Sequence, residues 1–267
     1  MNISNRLRDL ALLQSLAVVM LLGSCESTPK PTKPRASAPL SQAVLRVGMA
    51  ETAPPITFAE DGSNKGIEMD CARKLAKALG RKLKIVSMHW PNLTYELANR
   101  RIDIIMAGMT ITKQRRRQVA FADPYLSIGQ QALIRRDSQA TFGTSEKILA
   151  TRRRVGVEEN STGEQFANGN LNNAKVIAYP TLAAAAAALI NEKLDVVIHD
   201  SPCVQWMASR NKDDLVAVEG LFTDEQLAWA VHKEDTELRK TVNRVLIQWK
   251  ESGRLDQIIR RWIPASP

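Results

Sequence analysis

Short apolar runs alternate with helix-period segments from about residue 44 almost to the end of the chain, and this alternation limits the fold more than any other feature. VLRVGMA (44–50) is strand-like and ends near Gly48. GIEMDCARKLAKALG (66–80) puts Ile67, Cys71, Leu75 and Leu79 on one side of a helix, with Gly80 as its stop. KLKIVSMHW (82–90) is strand-like. PNLTYELANR (91–100) reads as a helix with Pro91 in its first turn, and RIDIIMAGMTI (101–111) as a strand. Parallel strands need a crossover between them, and a helix is the usual one, so the order strand-helix-strand-helix-strand predicts an α/β unit with a largely parallel sheet.

After QQALIRRD (130–137) the pattern repeats. RRVGVEE (153–159) is a strand. Ser161 and Glu164 have the spacing of a capping box that opens GEQFANGN (163–170). AKVIAY (174–179) is a strand, Thr181 caps the helix TLAAAAAALINEK (181–193), and LDVVIHD (194–200) is a strand followed by Ser201-Pro202 at a helix start. The alanine run reads as a closely packed helix. LAWAVHKED (227–235) reads as a returning strand, and residues 236–263 as two helices broken at Gly253. The sequence therefore predicts two similar α/β lobes, residues 44–131 with 225–267 and residues 132–224.

Charge bears on what such a chain could bind. Lys and Arg number 37 against 28 Asp and Glu, a formal net charge of +9. The basic residues are spread over 81–84, 115–117, 135–136, 152–154 and 260–261, and no run reaches five like charges. A basic solvated surface follows, and no nucleic acid is expected as a partner. No CxxC or HExxH pattern occurs, and His89, His199 and His232 are far apart, so no metal or other cofactor is expected.

The first residues have the form of a secretory signal: Arg6 and Arg8, an apolar stretch over 10–22, then Gly23 and Ser24. The stretch is short for a membrane span. Leu22-Gly23-Ser24-Cys25 resembles a bacterial lipobox, which implies cleavage after residue 24 and lipidation of Cys25, holding the chain to a membrane without a spanning helix. Residues 25–43, with Pro29, Pro31, Pro34 and Pro39 among Ser, Thr and Lys, read as an extended tether. The expected location is periplasmic or at the cell surface. Export would permit a Cys71–Cys203 disulfide, but Cys71 sits in an apolar helical stripe and a buried thiol is the expectation.

In open α/β sheets, ligands collect beyond the carboxyl ends of strands, near helix N-termini. Three such ends carry suitable chemistry. Thr110 and Thr112 precede a helix expected from Lys113, with Arg115 in its first turn; a guanidinium can hold a carboxylate through two parallel hydrogen bonds. Ser161 and Thr162 offer hydroxyls and N–H groups at a second helix start. Asp200 offers a carboxylate suited to an ammonium. Together the three ends could take both charged groups of an α-amino acid. Successive helical residues point about 100° apart, so three adjacent arginines do not easily share one target, and Arg116 and Arg117 are expected to be solvated or in surface ion pairs.

Several stretches together resemble the bacterial extracellular solute-binding proteins of family 3, the amino-acid receptors of ABC importers. They are LRVGMAETAPPITF, GIEMDCARKLAKALG, IDIIMAGMTITKQRRRQVAFADPYL, VGVEENSTGEQFA, KLDVVIHDSP and KESGRLDQIIRRWI, and the likeness runs over residues 44–264. It implies a periplasmic binding protein type 2-like fold, two α/β lobes with a hinge of two crossing strands, closing on a small solute. It implies that Arg115 clamps the ligand α-carboxylate, that Thr110 and the backbone at Ala107 and Gly108 line the site, that Ser161 and Thr162 contribute from the second lobe, that Asp200 meets the ammonium, and that Trp90 stacks on the ligand side chain. It also implies an ABC transporter permease as partner, with the chain itself a monomer. Two positions depart from the family pattern. Ala50 stands where an acidic residue is common and Ala53 where an aromatic is, while Glu51 is one place off, so a larger side chain, or a cationic one if Glu51 faces the cleft, is open.

A second reading comes from a different class. WPNL and STGEQFA also resemble periplasmic cyclohexadienyl (prephenate or arogenate) dehydratases of the same fold. Such an enzyme needs an acid to protonate a leaving hydroxyl. A glutamate is expected soon after Asp200, and the sequence has Ser201-Pro202-Cys203-Val204-Gln205 there. The expectation is a binding protein and not an enzyme. A third reading is a ligand receptor for a signalling partner.

Overall fold

The computed structural model describes residues 43–50 and 52–263. The expected signal segment, Cys25, most of the tether and Glu51 lie outside the described residues.

Two five-stranded sheets form the framework. In the first the order is Lys82–Ser87, Val44–Met49, Ile104–Ile105, Ala230–Val231, Ala120–Phe121. Its first three strands run parallel, and Ala230–Val231 is antiparallel to both of its neighbours. In the second the order is Lys175–Tyr179, Arg154–Glu158, Val196–Asp200, Gln130–Arg135, Leu215–Ala217. Again three strands are parallel, and Gln130–Arg135 is antiparallel to its neighbours. The chain leaves the first sheet through Leu126–Ile128 and returns through Glu225–Leu227, and these two segments pair antiparallel. The result is the expected pair of α/β lobes joined by two crossing strands.

Hydrophobic periodicity explains the layers. In Ile67–Ala78 the buried residues include Ile67, Cys71, Ala72 and Leu75, one face of the helix laid on the sheet. In Leu182–Ile190 the small side chains of Ala185, Ala186 and Ala188 are buried, so the alanine run is a close-packed helix. Thr181 caps it, its hydroxyl accepting from Ala184 N. The last two helices, Thr236–Glu251 and Arg254–Trp262, part at Gly253, whose φ of 68° suits glycine. Cys71 and Cys203 are both buried free thiols.

Three elements differ from the sequence expectation. Of residues 101–111 only Ile104–Ile105 joins the ladder, and Thr110 makes a single bridge to Leu227; the chain turns away at Gly108, where φ is 70°. The returning strand is two short pieces, Glu225–Leu227 and Ala230–Val231, because the chain changes partner from the hinge strand to the first sheet. The helix at Lys113–Arg116 is a single turn, too short for a macrodipole to draw an anion.

Candidate functional site

The single turn after Thr112 decides where Arg115 points. Thr112 is extended, and its hydroxyl accepts from Arg115 N at 3.1 Å, which turns the Arg115 side chain inward while Arg116 and Arg117 stay exposed. Arg115 is 8% exposed. Its Nη1 donates to Thr110 O at 3.0 Å and its Nη2 to Asn160 O at 3.3 Å. A guanidinium has five N–H donors, so these bonds leave others available. Burial lowers the Arg115 pKa, while the carboxylates of Asp200 and Glu225 oppose that shift.

Trp90 begins a short 3-10 turn, Trp90–Asn92. Its indole Nε1 also donates to Asn160 O, at 3.2 Å, and its ring lies 5.0 Å from the Arg115 guanidinium. Asn160 belongs to the loop after Arg154–Glu158. Its φ is 57°, and its N–H donates to Glu164 Oε2 at 2.6 Å. The Ser161–Glu164 cap forms as expected, with only its return bond displaced by one residue. Ser161 Oγ accepts from Glu164 N at 3.0 Å, while the glutamate reaches back to Asn160. Ser161 Oγ also donates to Glu158 O at 2.7 Å, so this hydroxyl is engaged in the cap.

On the second sheet, Asp200 ends its strand without capping the next helix. Its Oδ1 accepts from Gln130 Nε2 at 2.7 Å, and the same amide donates to Thr162 Oγ1 at 3.1 Å. Burial raises the Asp200 pKa, and the neighbouring Arg115 pulls the other way. Across the cleft, Gly108 N donates to Glu68 Oε1 at 2.8 Å. Glu68 is fully buried and also accepts from Tyr125 Oη at 2.8 Å and Trp229 Nε1 at 2.7 Å. Burial pushes its pKa up to about 7, against the pull of these three donors. A Cβ at Gly108 would stand 2.9 Å from Ile56 Cγ2.

Every described residue singled out from the sequence as a site residue lines one cavity. From the first lobe come Trp90, Ala107, Gly108, Thr110 and Arg115; from the second come Ser161, Thr162 and Asp200. Ala50 and Ala53, the two positions that depart from the family pattern, line it as well.

Sequence reasoning missed Glu158 and His199, which also line this cavity. His199 Nε2 and Glu158 Oε2 are 2.8 Å apart, and each side chain is 7% exposed. Burial works against a charged His199 ring, but the Cys203 sulfur and the Glu158 carboxylate raise its pKa well above the usual imidazole range. A signal was present: both residues sit at the carboxyl end of an apolar strand, the same position that singled out Asp200. Asn160 was missed because its contribution is a backbone carbonyl. Among the described residues no cluster of three or more His, Cys, Asp or Glu side chains is placed to hold a metal ion, and no helix is long and apolar enough to cross a membrane.

Comparison with known proteins agrees with this architecture. Over 255 residues the chain is 30% identical to a cyclohexadienyl dehydratase of Pseudomonas aeruginosa, covering 94% of both sequences. It is 32% identical over 213 residues to the ABC transporter glutamine-binding protein of Bacillus subtilis, covering 77% of this chain and 75% of that one. A crystal structure of a mutant of ArgBP from T. maritima superposes with a TM-score of 0.77 at 35% identity, covering 83% of this chain and 95% of that one. Proteins similar to this chain thus include solute binders and an enzyme. The pattern defining the bacterial extracellular solute-binding proteins, family 3, matches residues 45–265, and the chain belongs to that family.

Proposed function

We propose that the protein binds an L-amino acid between its two lobes, residues 44–131 with 225–267 and residues 132–224, and delivers it to the permease of an ABC importer. One observation carries this reading: Arg115, in the helical turn beyond the first sheet, and Asp200, at the end of a strand of the second, line the same cavity. In this reading Arg115 takes the α-carboxylate with the N–H groups that Thr110 and Asn160 do not use. Asp200, steered by Gln130, takes the ammonium. The backbone at Ala107 and Gly108, with Thr110, Ser161 and Thr162, closes around the charged end, and Trp90 covers the side chain.

A ligand held by both lobes favours the closed arrangement because it gains contacts there that the open one lacks. The closed surface is what a permease would read. The lipid on Cys25 and the Pro-rich tether would keep the protein at a membrane in the periplasm or at the cell surface, acting as a monomer.

The dehydratase likeness over 94% of both chains supports a second reading. Against it, the residues after Asp200 carry no acid through Gln205, and the two carboxylates lining the cavity, Glu158 and Asp200, are engaged by His199 and Gln130. Calorimetric titration of the full chain with the twenty L-amino acids tests the binding reading, which falls if none binds. Turnover of prephenate or arogenate would establish the enzyme instead.

A further inference from the structure

The proposed ligand uses Arg115 and Asp200 for its backbone groups. The cavity wall left for its side chain consists of Trp90, Ala50, Ala53, Glu158 and His199. The two alanines leave space, and among the described residues the charges in this part of the wall are those of the Glu158–His199 pair. His199 Nδ1 is buried and makes no hydrogen bond among the described residues.

Charge around the cavity is unevenly shared. Arg115 and Asp200 both feel Glu225, whose Oε2 is buried without a hydrogen-bond partner among the described residues. Glu225 lies on an adjoining groove that shares Thr110 and Thr162 with the cavity. Among the described residues, Arg115 and His199 thus stand against the carboxylates of Glu158, Asp200 and Glu225, with Asp224 also on the adjoining groove. A zwitterionic backbone adds no net charge. An anionic ligand side chain would face Glu158 and Glu225 in a poorly solvated space, where like charges are costly. A cationic side chain offsets that excess and adds a charged partner for Glu158.

We propose that Glu158 is the specificity-determining residue of the cleft and selects an amino acid whose side chain is cationic, a guanidinium or an ammonium. His199 is its positioning residue. Its Nε2 holds the carboxylate in one orientation. This proposal rests on the amino-acid reading above and deepens it.

The full chain is titrated calorimetrically with L-arginine, L-lysine, L-glutamine and L-glutamate, the remaining L-amino acids serving as controls. Arginine or lysine is expected to bind at least tenfold more tightly than glutamine, with glutamate weakest. Glu158→Gln is expected to weaken the cationic ligand at least tenfold and to change glutamine affinity less than threefold. His199→Gln retains an N–H for Glu158 and should keep the preference that His199→Leu loses. A wild-type preference for glutamine or glutamate overturns the proposal, as does an equal loss of both ligands in Glu158→Gln; either result leaves the amino-acid reading standing. Equal behaviour of the two His199 variants overturns the positioning role. Should Glu158→Gln fail to fold, the wild-type ranking decides. No binding by any amino acid overturns both readings.

Discussion

Arg115 and Trp90 converge on one acceptor. Both donate to the carbonyl of Asn160, at 3.3 and 3.2 Å, with the guanidinium 5.0 Å from the indole ring centre. Two side chains of one lobe thus meet a backbone carbonyl of the other. Cation–π contact contributes about 0.5–2 kcal/mol depending on desolvation, so the pair holds the guanidinium in place before any ligand arrives.

The three adjacent arginines should separate cleanly. Arg115→Ala is expected to abolish ligand binding in calorimetry, and Arg115→Lys to weaken it at least tenfold, because an ammonium cannot form two parallel bonds to a carboxylate. Arg116→Ala and Arg117→Ala, at exposed positions, should leave affinity within about twofold, a change of roughly 0.5 kcal/mol. Equal damage from all three would remove the assignment of Arg115.

Trp90→Phe keeps a ring over Arg115 and removes the N–H to Asn160. The lost bond should cost about 1 kcal/mol of closed-state preference, or roughly fivefold in ligand affinity. Trp90→Ala, which also removes the ring, should cost more. Ligand titrations of both variants distinguish the two contributions.

Glu68 should reveal itself through stability. In Glu68→Gln the oxygen can still accept from Gly108 and Tyr125, but the amide N–H₂ then faces the Trp229 indole N–H, donor against donor. A buried unmet donor costs about 1–3 kcal/mol, measurable by urea unfolding.

The same residue sets a pH dependence. Its folded pKa, about 7, lies above its ordinary value of 4.5. Between those values the native state holds a proton that the unfolded state has lost. Its contribution is therefore fully present below pH 4.5 and is lost as pH rises through about 7, a change on the order of 3 kcal/mol. Denaturant unfolding of wild type and Glu68→Gln across pH 4–8 should show this slope in the wild type alone.

Gly108→Ala meets two obstacles: a φ of 70° and a methyl group 2.9 Å from Ile56 Cγ2. The left-handed backbone alone costs about 1–2 kcal/mol. Thermal unfolding should report that loss. Ligand affinity should fall as well, since the turn at Gly108 shapes the first-lobe wall of the cavity.

Local patterns made much of this protein legible in its sequence. Period-2 and period-3.6 runs marked the strands and helices. Thr112, Ser161 and Thr181 marked helix starts through hydroxyls that accept from the residue three places on. The helix start after Thr112 placed Arg115 in its first turn. These are short-range effects, decided within one or two turns of chain. Tertiary structure alone decided the rest. Glu158 and His199 are 41 residues apart and meet only because their strands lie side by side in the second sheet. Glu68 fell on the buried stripe of its helix, but its three donors come from positions 108, 125 and 229. The Asn160 carbonyl carries no side-chain signal at all. A buried polar group must find partners wherever the packed chain supplies them, and strand order and lobe closure, rather than local sequence, supplied them here.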